Sequence, residues 1–143
     1  MNLIERNKMH KTMLAGIASG VAALMLAAGL VFAQTKSADS QKHPDVVDVK
    51  VQARGSNRFD FDVTLSSPYD TPGRYADAFK VMGPKSEMYG ERVLLHDHQT
   101  EQPFTRDLYS VLVPAGVRVV TVQGRDQKFG YGGKTMQVAL PGR

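Results

Sequence analysis

The sequence predicts an all-β fold, a single seven-stranded Greek-key sandwich preceded by an N-terminal export helix. Three observations predict it. From Val46 onward apolar and polar residues alternate with a period of two, the pattern of half-buried strands. Clusters of Gly, Pro, Asn and Ser break that alternation at short intervals, and no later stretch sustains a 3.6-residue apolar period. The first 33 residues differ in kind: Arg6, Lys8 and Lys11 precede an uncharged run from Met13 to Phe32.

That run followed by Val31-Phe32-Ala33 before Gln34 reads as a signal peptide over residues 1–33. Its length also suffices to span a bilayer, so an uncleaved single-pass anchor is the alternative. Alanines, with Gly16, Ser19, Gly20 and Gly29, dilute the run and favour cleavage. On either reading the remainder is expected outside the cytoplasm, periplasmic or secreted. The membrane would then be touched only through residues 13–32, and only if the leader is retained. The sequence contains no cysteine, which excludes disulfides, thiol nucleophiles, Cys-ligated zinc and lipid attachment to a cysteine on this chain.

Residues 34–45 carry almost nothing apolar and read as a disordered polar tether, leaving 46–143 as the folded domain. Val47, Val49, Val51 and Ala53 alternate with Asp48, Lys50 and Gln52, predicting the first strand. Phe59, Phe61, Val63 and Leu65 alternate with polar residues in the second. Gly55-Ser56-Asn57 between them predicts an antiparallel hairpin. Ala76 to Met82 is expected as the third strand, closed by Gly83-Pro84, and Met88 to His96 as the fourth. Leu108 to Val113 is the fifth, stopped by Pro114-Ala115-Gly116. Val117 to Gly124 is the sixth and Lys134 to Leu140 the seventh.

Seven short strands at this spacing point to a sandwich of the immunoglobulin or fibronectin type III kind, with Phe79 as its large core aromatic. A small closed barrel is the alternative architecture. The segments Ser67-Pro68-Tyr69-Asp70-Thr71-Pro72, Leu94-Leu95-His96-Asp97-His98, Glu101 to Arg106 and Gly130-Tyr131-Gly132-Gly133 resemble those of small exported bacterial proteins with an Ig-like sandwich. The resemblance implies fold and export and carries no mechanism.

With the strands in order A, B, C, C′, E, F and G, the B–C (66–74), C′–E (97–103) and F–G (125–133) loops fall at one end. These loops hold the candidate partner-binding residues Tyr69, Asp70, Glu101, Phe129 and Tyr131. His96-Asp97-His98 is the sharpest chemical feature. In an extended segment residues two apart face the same way, so His96 and His98 could converge on zinc or copper, with Glu101 or Asp70 as a further ligand. The plainer alternative is that one histidine supports the fold and the other is solvated. Phe104 is expected to anchor its loop to the core, and Arg106 to pair with Glu101 or Asp107.

Residues 34–143 carry fifteen basic against thirteen acidic side chains, a net +2, with no basic run. Nucleic-acid binding is not expected. No serine sits in a nucleophile-elbow context and no phosphate-cradling loop or dinucleotide fingerprint occurs, so the chain reads as a non-enzyme without a cofactor. The expected function is an exported cell-envelope binding module whose three loops meet a protein or glycan. The alternative is a periplasmic zinc- or copper-binding protein using His96 and His98.

Overall fold

The computed structural model describes residues 41–143, all β with no helix among them. The expected export helix, and residues 34–40 of the expected tether, lie outside the described residues.

The strands are β1 (Asp45–Gly55), β2 (Arg58–Ser66), β3 (Ala76–Met82), β4 (Met88–Val93), β5 (Phe104–Leu112), β6 (Val119–Asp126) and β7 (Gly130–Ala139). They form two antiparallel sheets, one of order β1-β2-β5 and one of order β4-β3-β6-β7. The chain crosses between sheets after β2, β4 and β5. No strand ladder joins the two sheets among the described residues, so the closed-barrel alternative is not the architecture.

The first hairpin forms where its turn residues demand. Ser56 and Asn57 both take left-handed backbone (φ 51° and 61°), the geometry of a two-residue turn whose twist matches the flanking strands. In β2 the alternation is complete: Phe59, Phe61, Val63 and Leu65 all point into the core. They pack against Phe79 and Val81 of β3 and Val120 and Val122 of β6, with Phe61 and Phe79 fully buried.

Two strands depart from simple alternation. In β1 an irregularity between Val46 and Asp48 turns Val46 inward and leaves Val47 44% exposed, contrary to the expected inward row. Val49 and Val51 are only partly buried against the core. In β5 the residues Tyr109 and Ser110 stand opposite Asp60 alone, a bulge with Ser110 at φ 57°. Asp60 holds that bulge by accepting the Ser110 N–H at 2.8 Å while pairing with Arg54 at 2.6 Å. The Ser110 hydrogen bond, with Arg54, keeps its carboxyl below the usual range.

Residues 41–45, expected as the last part of the tether, belong to the folded domain: Gln41 is 5% exposed and β1 begins at Asp45. Pro44 is buried beside Gly124, where a side chain would place Cβ 2.6 Å from its ring, and His43 occupies the space over Gly132 in the same way. Gly132 and Gly133 of the Gly130-Tyr131-Gly132-Gly133 segment, with Gly124, thus receive the chain's own entering segment. At the opposite end Arg143 donates to the carbonyls of Val113, Pro114 and Val117 and to Asn57 Oδ1.

Candidate functional site

The loops after β2, β4 and β6 meet at one end of the sandwich, and buried polar groups join them. Asp70 is 1% exposed; its two oxygens accept the backbone N–H groups of Ala76 (3.0 Å) and His98 (3.1 Å). Burial raises the Asp70 carboxyl above the usual range despite those bonds. Gln102 completes the link by accepting the Ser67 N–H at 2.7 Å and donating to Ser67 Oγ and the His98 carbonyl.

The loop after β6 is organised by Asp126. Its carboxylate accepts the N–H groups of Lys128 and Phe129, each at 2.8 Å, and the Arg74 Nε–H at 3.1 Å. Burial alone would raise this carboxyl, but the donors around it, Phe129, Lys128 and Arg74 among them, hold it below the usual range. Arg74 also donates to the carbonyls of Gln41 and Lys42. Its guanidinium lies 4.2 Å from the Tyr69 ring centre and 4.8 Å from that of Phe129. The buried Tyr69 hydroxyl makes no hydrogen bond; burial, with the Asp126 carboxylate close by, pushes its pKa up.

The candidate residues therefore part company. Asp70 is structural, because both oxygens are spent on the backbone inside the protein. Tyr69 is half-buried and holds Arg74. Tyr131 is not in the loop at all: it lies on β7 opposite Arg125 of β6, with its hydroxyl on Glu91 and Lys80 Nζ 4.1 Å from its ring centre. Arg125 pairs with Asp77 and Glu91, closing that network on the sheet face. Glu101 is exposed and engages Arg106 at 3.1 Å. Phe129 stays at the tip, 43% exposed, with Lys42 Nζ at 5.7 Å and Lys128 Nζ at 5.3 Å from its ring centre.

The histidines do not share a strand face, because β4 ends at Val93. His96 is exposed, with Nδ1 2.8 Å from the Asp97 carbonyl. His98 is 2% exposed and stacks on Phe104 with ring centres 3.8 Å apart and planes 7° from parallel. The two imidazoles approach to 4.7 Å as a tilted stack. Among the described residues no group of three or more His, Asp or Glu side chains is placed to hold a metal ion. Phe104 is buried in the core.

Sequence reasoning missed Arg74, Gln102 and Asp126. The spacing Asp126-Gln127-Lys128-Phe129, an acid before two residues whose N–H groups it then accepts, is the one local signal that pointed to a capped turn.

No family model matches the chain, and no solved structure matches it. A protein of Halomicrobium mukohataei that bears the name "Putative lipoprotein" is 41% identical over 97 residues, 68% of this chain and 47% of that protein. The chain thus spans about half the length of that relative.

Proposed function

We propose that the chain is an exported, non-catalytic binding module of the cell envelope. Its immunoglobulin- or fibronectin-III-like sandwich presents the end formed by the loops after β2, β4 and β6 to a protein or glycan partner. The likeness to a lipoprotein-named relative supports the envelope assignment. The strand orders β1-β2-β5 and β4-β3-β6-β7 support the sandwich type.

The observation that carries the binding role is the tip around Phe129. An aromatic ring 43% exposed stands among Lys42, Arg74 and Lys128, while the carboxylate beneath it, Asp126, is buried and already paired. Such a tip suits an acidic partner, the ring giving contact area and the lysines steering approach. Binding of the full chain to isolated cell envelopes, measured against ionic strength, tests it. Binding should weaken with salt and fall at least about tenfold in a Lys42→Gln, Lys128→Gln, Phe129→Ser variant, a loss of about 1.4 kcal/mol. Equal binding by that variant would reject the tip as the contact.

A further inference from the structure

Among the described residues four buried side-chain atoms lack a hydrogen-bond partner: Tyr69 Oη, Arg92 Nε and both ring nitrogens of His98. Three of the four belong to residues lining one cleft of about 170 Å³, between the end of β4 and the start of β5. Its walls are residues 92–96 with His98 and Arg106, and no carboxylate lines it.

The nearby acids leave one side of it open. Glu101 is engaged with Arg106, and Asp107 approaches Arg92 at Nη1, 3.8 Å away. The Nε edge of Arg92 is left over. Two parallel N–H groups along a guanidinium edge match the two oxygens of a planar carboxylate. His98 supplies a further donor: Phe104 covers one face of its ring, but ring nitrogens lie at the edge, and a neutral imidazole carries one N–H. Burial, ahead of repulsion by Arg106 and His96, lowers its pKa and so favours that neutral form.

The surroundings describe the rest of the ligand. Leu95 is 83% exposed and Val93 50%, an apolar lip beside a polar hole. Among the described residues β4 is the outer strand of its sheet and pairs only with β3, so its other edge offers backbone groups to an added strand. An apolar lip, a carboxylate seat and a free strand edge together fit the end of a peptide better than a sugar acid.

We propose that this cleft seats the free terminal carboxylate of an extended peptide whose last side chain is apolar. Arg92 and His98 receive the carboxylate, Leu95 and Val93 the side chain, and the edge of β4 the backbone. The exposed side chain of His96, whose ring centre lies 4.7 Å from that of His98, turns aside as the group enters, since Arg92 Nε and the His98 nitrogens are all sealed from water. This seat is distinct from the Phe129 tip, and loss of either leaves the other intact.

The test is an NMR titration of the full chain in mild detergent, following the His98 ring nitrogens. N-acetyl-leucine should shift them saturably, with a dissociation constant on the order of 1 mM, as for a single small group. N-acetyl-leucinamide, which lacks the charge, should not. Arg92→Gln should weaken the acid at least about tenfold. His98→Phe, which keeps the stack on Phe104, should weaken it, read there at the backbone amides of Val93 to Leu95, while the Tyr131 resonances stay unchanged. The proposal is overturned if acid and amide act alike, if Arg92→Gln binds as well as wild type, or if no saturable shift occurs. Tighter binding of glucuronate than of N-acetyl-leucine would overturn the peptide assignment. Zinc shifting His96 and His98 together in place of the acid would make the cleft a cation site instead.

Discussion

The carboxylate of Asp70 accepts the backbone N–H of His98 at 3.1 Å, and this buried bond ties the loop after β2 to the loop after β4. Its other oxygen holds the Ala76 N–H at the first residue of β3. One side chain therefore fixes both where a strand starts and where a neighbouring loop runs.

Replacing Asp70 by Ala strands two buried N–H groups. We expect a loss of about 2–4 kcal/mol, read from denaturant midpoints, with Asp70→Asn losing less because it keeps one acceptor. The pH dependence has a definite sign. The Asp70 pKa is raised by burial, so the folded protein binds that proton more tightly than the unfolded chain. Its contribution to stability should rise as pH falls through the raised value towards 3.8, and Asp70→Asn should flatten that rise.

His98 acts in the opposite direction. Burial, then Arg106 and His96, lower its pKa from 6.5, while Glu101 and Asp97 pull weakly the other way. Its contribution is complete above 6.5 and is lost as pH falls from there through the lowered folded value. Melting temperatures taken from neutral pH downward should drop for the wild type. In His98→Phe the drop should be smaller, and at neutral pH that variant should be as stable or more so, since two unpartnered nitrogens have gone.

Arg74 neutralises Asp126, caps two carbonyls and fills the space between two rings. Arg74→Ala should cost about 3–5 kcal/mol, because it leaves the buried Asp126 charge unpaired. Adding Asp126→Asn should restore part of that loss, a coupling that a double-mutant cycle would show.

Zinc or copper(II) titrated calorimetrically into the metal-stripped chain should give no saturable heat that the His96→Ala, His98→Ala double variant removes. Two imidazoles in a tilted stack, with no third donor grouped with them among the described residues, do not complete a coordination shell.

Gly132→Ala would place its Cβ 2.5 Å from the His43 ring. The entering segment should detach, and trypsin should then cut after Lys42 far faster than in the wild type.

Much of the sandwich was legible because its signals are local. The Ser56-Asn57 turn, the alternation in β2 and the bounds of β3 follow from residue types a few positions apart. What escaped depends on contacts between distant parts of the chain. The alternation at Val47 looked regular, but an irregularity in pairing with β2 turned Val46 inward instead. Tyr131 sits in a glycine-rich stretch that reads as loop, yet pairing with β6 begins at Gly130. Asp70 looked like a surface acid because its partners, six and twenty-eight residues away, carry no side-chain signature: they are backbone N–H groups. The meeting of the three loops was inferred from strand order, whereas the choice of which side chains remain outward was not.

The seat of His43 and Pro44 among the glycines of β6 and β7 also decides how the domain meets mechanical load. Tension arriving along the chain from the N-terminal side reaches this short strap first. It must pull His43 from the Gly130 carbonyl and Pro44 from its slot before the hydrogen-bonded ladder of β1 carries any force. Under such a load the strap is expected to release before the sandwich behind it opens.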